Sequence, residues 1–460
     1  MDSSSSFSQL PLNEEVLENL KTLGYEKMTP IQERTLPLIL EGRDIIAQAK
    51  TGSGKTAAFG LGIIHKLNVK DFATQALVIC PTRELAEQVC TEFRRLARFT
   101  NNVKVLSICG GASQFYQEKS LEHSAPIIVG TPGRIQRLLK EGFIRLEHVK
   151  QFVLDEADRM LDMGFIDDIR NIASYLPKKH QTLLFSATFP EAIIELCESL
   201  QYEPERIMVD EKHEEHVIEQ YFFKLVTHRE KEGALLKLLG HYSPESSVVF
   251  CKTKQLCETV ERFLRDQGLE AMAIHGDMEQ RERTQVLTKF SNRSLNILVA
   301  TDVAARGLDI KDLEAVINFD LTPDAEIYVH RIGRTGRAGK KGLALSLFVN
   351  EEKDKVEQIE KFTGRRANLI DLSTLTVHCL NLTPSMKTLL IGGGKKDKVR
   401  PGDILGAIAG EAGFNGEDVG SINILPTHSY VAVKAELRNE IFKKLQDVRI
   451  KGRKFKIEKV

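Results

Sequence analysis

Short apolar runs recur along most of the chain, each followed by a longer amphipathic stretch. The first series is Asp44–Ala49, Ala76–Cys80, Pro126–Gly130, Gln151–Leu154 and Gln181–Phe185. The second is Ser247–Cys251, Glu270–Ile274, Asn296–Ala300, Ala315–Phe319 and Leu343–Phe348. Val, Ile and Leu fill consecutive positions in these runs, not alternate ones. A strand that is apolar on both sides is buried on both faces, as in a parallel sheet covered by helices. The pattern predicts two α/β units. Between them, Tyr202–Glu219 is polar, holds Glu-Lys-His-Glu-Glu-His at 211–216, and reads as a hinge.

A second break falls at Asp371–Pro384, and the pattern changes beyond it. The order becomes strand (Lys387–Ile391), helix (Pro401–Glu411), two strands (Val419–Leu425 and Ser429–Ala435), helix (Glu436–Gln446) and strand (Lys454–Lys459). That β-α-β-β-α-β order predicts an α+β, ferredoxin-like domain of the kind shared by RNA-recognition modules and many others. The expected domains are 1–208, 209–372 and 381–460.

Length and composition agree with this division. The chain has 460 residues, 42% hydrophobic and 28% charged, ordinary for globular proteins. No apolar run approaches the roughly 18 residues that span a bilayer, and Met1–Ser8 lacks a basic-then-apolar signal pattern. A cytoplasmic protein without a membrane partner is expected. The seven cysteines (80, 90, 109, 197, 251, 257, 379) form no Cys-x-x-Cys pair and are expected as buried free thiols in a reducing compartment.

Charge changes the picture only at the end. From Asn381 to Val460 there are 15 Lys and Arg against 9 Asp and Glu, a net +6 balanced by −6 elsewhere. A basic tail on a mildly acidic body suits a polyanionic partner.

The strongest chemical signal is Ala49-Lys50-Thr51-Gly52-Ser53-Gly54-Lys55-Thr56, between a strand and a helix. Glycines there let backbone N–H groups approach phosphate oxygens. Lys55 would hold the β- and γ-phosphates, and the Thr56 hydroxyl would ligate Mg²⁺. Asp155-Glu156-Ala157-Asp158 follows another strand, where one carboxylate can reach the metal and its neighbour can orient a water. His330-Arg331-Ile332-Gly333-Arg334-Thr335-Gly336-Arg337 spaces three arginines by three residues, chemistry suited to a transferring phosphoryl group. Its distance in sequence from Lys55 implies a site assembled across two domains. Further polar sets follow strands at Pro81–Ala86, Thr131–Arg134, Ser186–Thr188 and Thr301–Asp309, more than one nucleotide needs, so a second, extended ligand is implied.

Taken in order, these segments resemble the DEAD-box RNA helicases over residues 5 to 370. The motifs are Gly24-Tyr25 with Thr29-Pro30-Ile31-Gln32, Ala49–Thr56, Pro81–Ala86, Gly110-Gly111, Thr131–Arg134, Asp155–Asp158, Ser186–Thr188, Ala300–Ile310 and His330–Gly339. The resemblance implies two RecA-like domains in tandem, binding ATP with Mg²⁺ and single-stranded RNA, and it accounts for Ala49 where the general phosphate loop has Gly. It implies that Gln32 reads adenine with Phe7 packed nearby, and that Ala49, Lys50, Thr51, Gly52, Ser53, Gly54, Lys55 and Thr56 hold phosphates. Thr56 and Asp155 would hold Mg²⁺, partly through water, and Glu156 would activate the attacking water. Ser186 and Thr188 would couple hydrolysis to domain movement. Asp309 would touch the ribose, Arg334 and Arg337 would act as arginine fingers, and His330 would link the domains. RNA phosphates would meet Thr82, Arg83, Gly111, Thr131, Arg134 and Thr301. The implied mechanism is local: ATP closes the domains, closure bends one RNA strand out of pairing, and hydrolysis releases it.

The tail, with Gly392-Gly393-Gly394-Lys395-Lys396-Asp397-Lys398-Val399-Arg400, resembles the RNA-binding domain of the family's bacterial large-subunit assembly branch. That implies 23S rRNA, at a hairpin near the peptidyl-transferase centre, and assembly intermediates as partners. The tail departs from the common RNA-recognition pattern, because its strand 429–435 offers only Tyr430 for stacking. The expected tail contacts are therefore a charged edge of Lys395, Lys396, Lys398, Arg400, Arg449, Lys451, Arg453 and Lys454. An ATP-gated RNA clamp and a processive DNA translocase are the competing readings. Duplex unwinding in excess ATP separates the first from a helicase, and preference for DNA as activator would mark the second.

Overall fold

A computed structural model describes every residue except 1–4, 50, 51, 112, 210–217, 306–312, 337–340 and 378–381. Lys50, Thr51, Asp309, Arg337 and Cys379 therefore lie outside the described residues. The described chain forms two compact units, one holding β1–β7 and the other β8–β17.

The first unit contains β1 (Ile45–Gln48), β2 (Ala76–Ile79), β3 (Val105–Ile108), β4 (Ile127–Gly130), β5 (Gln151–Asp155), β6 (Gln181–Ser186) and β7 (Glu205–Met208). They pair in the order β3-β4-β2-β5-β6-β1-β7, with every pairing parallel. Alternate side chains explain the continuous apolar runs. Ile45, Ala47, Ala76 and Val78 enter one core cluster, while Ile46, Leu77 and Ile79 enter the other on the opposite face. Each fully buried Leu, Ile or Val contributes about 1.5–3 kcal/mol relative to exposure.

The second unit begins with a parallel sheet of β8 (Ile218–Leu225), β9 (Ser247–Phe250), β10 (Ala271–Ile274), β11 (Ile297–Ala300), β12 (Ala315–Asn318) and β13 (Gly342–Val349). Its order is β10-β11-β9-β12-β13-β8. Three strands depart from the expected pattern. β3 and β8 were not anticipated, and β7 lies inside the segment read as a hinge. Each is a sheet edge, where one side of the strand is solvated or thinly covered; in β7 only Ile207 is buried.

The same unit ends in an antiparallel sheet of β14 (Met386–Ile391), β15 (Val419–Ile424), β16 (Ser429–Lys434) and β17 (Ile457–Lys459), ordered β15-β16-β14-β17. Helices Pro401–Gly406, continued by a π turn at Ala407–Glu411, and Arg438–Leu445 complete the expected β-α-β-β-α-β order. One face packs on those helices through Leu389, Ile391, Val431, Val433, Ile404 and Ile441. The other presents Thr388, Leu390, Tyr430 and Ala432, and all four are buried as well. Thr388 Oγ1 donates to Ser294 Oγ at 2.7 Å, and Asn423 Nδ2 donates to Asn292 Oδ1 at 3.2 Å. Helix Gln280–Ser291 and the turn after it therefore cover the sheet face on which RNA-recognition domains usually stack bases.

Six cysteines are free and buried, and burial pushes the Cys90 thiol up to about 12 and the Cys109 thiol up to about 11. Among the described residues no helix is long and apolar enough to cross a membrane.

Candidate nucleotide and RNA site

In open parallel sheets, ligands gather at the carboxyl ends of the strands. Strand order divides that edge of the first unit in two. β5, β6 and β1 are adjacent and carry the phosphate-type loops, while β3, β4 and β2 lie together on the other half.

The loop after β1 needs its glycines. Gly52 and Gly54 have φ of 94° and 95°, a region that side chains with a Cβ rarely enter. Gly54 is also crowded, since a Cβ there would sit 2.6 Å from Gln32 Nε2. Helix Lys55–Lys66 then starts with Lys55 and Thr56 in its first turn, where N–H groups and the helix dipole favour anions. Ser53 is buried and Thr56 half-buried. Gln32, in helix Pro30–Glu41, accepts from Thr29 N at 2.9 Å and donates to Gly54 O at 3.0 Å. A carboxamide has two N–H groups and two lone pairs, so one of each remains by count for an adenine edge. Phe7 is buried edge-on against Tyr25 at 6.1 Å and belongs to the core cluster. Its visible role is to pack the segment leading to Gln32.

Lys55 Nζ lies 3.2 Å from Asp155 Oδ1, and Asp155 is fully buried. Burial alone would push the ammonium down, but Asp155, Glu156 and Asp158 outweigh it and hold it above its usual range. Burial raises the Asp155 carboxyl, with Lys55 opposing and Glu156 adding. Neither Asp155 oxygen has a hydrogen-bond partner of good geometry. A buried carboxylate with orphaned oxygens calls for another cation, and hard oxygens beside a hydroxyl and a phosphate loop fit Mg²⁺.

Glu156 is the N-cap of helix Ala157–Asp162 at φ 58° and ψ 56°. A non-glycine residue in that left-handed region costs on the order of 1–3 kcal/mol, and such strain gathers at functional sites. Arg159, one turn on, fixes the Glu156 carboxylate through Nη1 to Oε2 at 2.6 Å. Asp158 ties the box to the loop after β6. Its Oδ2 accepts from Ala187 N (3.1 Å), Thr188 N (3.0 Å) and Thr188 Oγ1 (3.2 Å). Its own N–H donates to Ser186 Oγ at 3.1 Å, and Ala49 N donates to Ser186 O at 2.9 Å. One hydroxyl residue therefore touches both the acidic box and the phosphate loop. Arg159 and Asp158 are site residues that motif spacing alone did not single out, although both stand within or beside the acidic tetrapeptide.

Asp158→Asn should leave the fold intact but turn an accepting oxygen into a donor opposite those groups. On the helicase mechanism that the resemblance implies, duplex strands separated per ATP hydrolysed should fall about tenfold, roughly 1.4 kcal/mol of coupling. Equal losses in unwinding and hydrolysis would show that Asp158 serves hydrolysis alone.

On the other half of the edge, Thr82 caps helix Arg83–Leu96 by accepting from Leu85 N at 3.3 Å. The Arg83 guanidinium lies against Gly110 and Gly111, so close that a Cβ on Gly111 would sit 1.8 Å from its Nη1. Thr131 is the N-cap of helix Pro132–Lys140, and Arg134 Nη1 donates to Gln114 Oε1 at 3.2 Å. Thr82, Arg83, Gly111, Thr131 and Arg134 thus stand at the ends of three adjacent strands, an array of cations, hydroxyls and backbone suited to successive phosphates.

In the second unit, Thr301 follows β11, and its Oγ1 accepts from Ala304 N at 3.4 Å. Arg283, which sequence reading passed over, reaches His275 O at 3.1 Å and Ala304 O at 3.5 Å, tying the loops after β10 and β11. The three evenly spaced arginines separate by role. Arg331 is buried, bidentate to Asp302 at 2.6 and 2.7 Å, bonded to Asn318 and Asp320 O, and 4.9 Å over the Phe250 ring. It is structural. His330 sits in the last turn of helix Ala325–Ile332, and Arg334 is buried just beyond it.

The basic stretches of the tail come together. Lys451 Nζ donates to Lys398 O at 2.7 Å, and Arg453 Nη1 lies 4.0 Å from Asp397 Oδ1. Lys395, Lys396, Lys398, Arg400, Arg449, Lys451, Arg453 and Lys454 are all exposed. Gly393 and Gly394 allow the lysine turn to lie flat, because a Cβ would meet the Phe455 ring at one and Leu425 O at the other. The cationic surface of the tail is thus an edge, while its flat outer face is covered.

Comparison with known proteins gives this geometry a family. The profile described as DEAD/DEAH box helicase matches residues 29–196, the helicase conserved C-terminal domain matches 230–339, and the DbpA RNA binding domain matches 388–459. The chain is 48% identical over 437 residues to the ATP-dependent RNA helicase DbpA of Escherichia coli, covering 95% of each. It is 46% identical over 373 residues to the DEAD-box ATP-dependent RNA helicase CshA of Geobacillus kaustophilus, covering 81% of this chain and 79% of that one. Among solved structures, Saccharomyces cerevisiae Dbp5 bound to RNA and ADP BeF3 superposes with a TM-score of 0.72 at 33% identity, over 80% of this chain and 96% of that one. With three family profiles matched in sequence order and a relative aligned almost end to end, the chain belongs to the DEAD-box ATP-dependent RNA helicases and carries their DbpA-type RNA-binding domain.

Proposed function

We propose that this helicase is addressed by its tail to a 23S rRNA hairpin during large-subunit assembly and separates short duplexes near it. The observation that carries the address is the exposed basic edge formed by 395–400 and 449–454, beside a sheet face that is already covered. RNA must then be met by charge and loop geometry, a mode suited to a folded hairpin.

In the core, Lys55 and the N–H groups of its helix hold the phosphates of ATP. Asp155 and Thr56 would hold Mg²⁺, which when bound neutralises charge between the β- and γ-phosphates. Glu156, fixed by Arg159, takes the proton of the attacking water. Ser186 and Thr188 pass the state of that site on through Asp158. Arg334 stabilises charge on the transferring group. Thr82, Arg83, Gly111, Thr131, Arg134 and Thr301 hold RNA phosphates without reading bases, so core selectivity among sequences should be weak.

The test is steady-state ATPase activity with an RNA containing the peptidyl-transferase hairpin and an unrelated RNA of equal length. The full chain should be stimulated at least about tenfold more by the hairpin RNA, a preference of roughly 1.4 kcal/mol. Lys395→Glu combined with Lys454→Glu should erase the preference and retain the response to the unrelated RNA. Charge reversal is a better control than truncation, because removing the tail would uncover helix Gln280–Ser291. Equal stimulation of the unmodified chain by both RNAs would leave a general RNA helicase.

A further inference from the structure

Where the tail meets the second helicase domain, a cavity of about 340 Å³ opens beside the covered sheet face. Both partners contribute to it. Arg281, from the first turn of helix Gln280–Ser291, faces Thr427 and His428 of the β15–β16 hairpin and Lys456 and Glu458 of the last strand segment. Arg281 and Lys456 are exposed cations. The one carboxylate of the wall, Glu458, is engaged by Lys456 at 2.6 Å. Lys456, and then Arg281, hold its carboxyl below the usual range. His428 is fixed edge-on to Tyr430 at 5.2 Å, with Thr427 Oγ1 3.0 Å from its Nδ1. Burial and Arg281 hold its imidazole below its usual value, which favours the neutral form. Leu390 supplies an apolar wall.

The cavity continues the basic edge. Lys395 N and Lys396 N donate to Leu425 O and Pro426 O, the residues that lead into Thr427 and His428. The lysine turn therefore adjoins the hairpin that walls this opening. A concave, net-cationic seat with neutral hydrogen-bonding groups and one apolar wall has the size and chemistry for a single nucleotide.

We propose that this composite cavity receives one nucleotide of the RNA flanking the tail-bound hairpin, its phosphate held by Arg281 and Lys456. The seat gives RNA a continuous track from the tail onto the second helicase domain. The proposal rests on the tail binding RNA, and its ligand is the nucleotide phosphate, whether in RNA or free.

Binding by the full chain would be measured over a range of salt, for a hairpin with and without a ten-nucleotide single-stranded flank. The flank should tighten binding about three- to tenfold, and Arg281→Gln should remove that gain and reduce the salt slope by about 1. Lys456→Gln should act alike, and both variants should keep the parent melting temperature and affinity for the bare hairpin. Unchanged binding of the flanked RNA by Arg281→Gln overturns the seat. So does Arg281-dependent binding of uridine monophosphate without any flank effect, which would mark a free-nucleotide site. A chain that does not distinguish the rRNA hairpin from an unrelated one fails the proposed address instead, and the flank effect is still measured on either hairpin.

Discussion

Replacing Glu156 by Gln is expected to lower RNA-stimulated ATP hydrolysis by about 10²–10⁴-fold, the usual range for a positioned general base. The substitution keeps an oxygen for Arg159 Nη1, now 2.6 Å from Oε2, and keeps the same left-handed backbone at φ 58°. What it removes is basicity. ATP affinity, measured by equilibrium titration, should change little, since Lys55 and not Glu156 is the residue proposed to hold the phosphates. A variant retaining a tenth or more of the parent rate would sink the assignment of Glu156. A matching loss of ATP affinity would move its role to nucleotide binding.

The largest expected effect on stability lies away from the chemistry. Lys231 is buried, with Nζ 2.9 Å from Asp320 Oδ1 and 3.0 Å from Glu352 Oε2. Lys231→Met would leave two carboxylates in the second sheet domain with their shared cation gone. Breaking a buried pair from one side costs about 3–5 kcal/mol, which lowers the melting temperature by roughly 10 °C for a unit of this size. The change also has a pH signature. Burial disfavours the charged form of Glu352, but Lys355 and Lys231 outweigh it and hold the carboxyl below its usual range. A depressed carboxyl contributes stability that is fully present above the unfolded value of about 4.3. That contribution is lost as pH falls through the lower folded value. In Lys231→Met the acid-labile part should shrink, measured by thermal melts from pH 7 down to 3. A variant that melts like the parent at every pH would refute the triad's role.

Much of this was legible in the chain, and what was not has a common cause. All ten strands anticipated in the two parallel sheets form, because helices on both faces make their middle positions apolar on both sides. β3, β7 and β8 escaped notice because an edge strand has less to bury, and its pattern dissolves into polar background. The phosphate loop and acidic box were legible because their chemistry is local in sequence. Roles that depend on a fold contact were not. Arg331 shares its spacing with Arg334, yet its bonds to Asp302 and Asn318 make it structural. Phe7 is placed by its packing on Tyr25. The sequence offers Tyr430 without aromatic company, and the physical reason its face cannot stack bases is that it is buried, under a segment near 280–294 that bonds to the sheet at Thr388 and Asn423.

That covering has a consequence for anyone who would rebuild this helicase. Tyr430, Leu390, Thr388 and Ala432 would face water if the tail were grafted onto another helicase core. A domain this small cannot spare an apolar face, and the graft would be prone to self-association. The tail is therefore not a portable address label. Transferring the proposed RNA preference to a new engine would mean moving helix Gln280–Ser291 with it, and because that helix lies between β10 and β11 of the second parallel sheet, hybrids should be cut between β7 and β8 rather than at the polar stretch near 371–384.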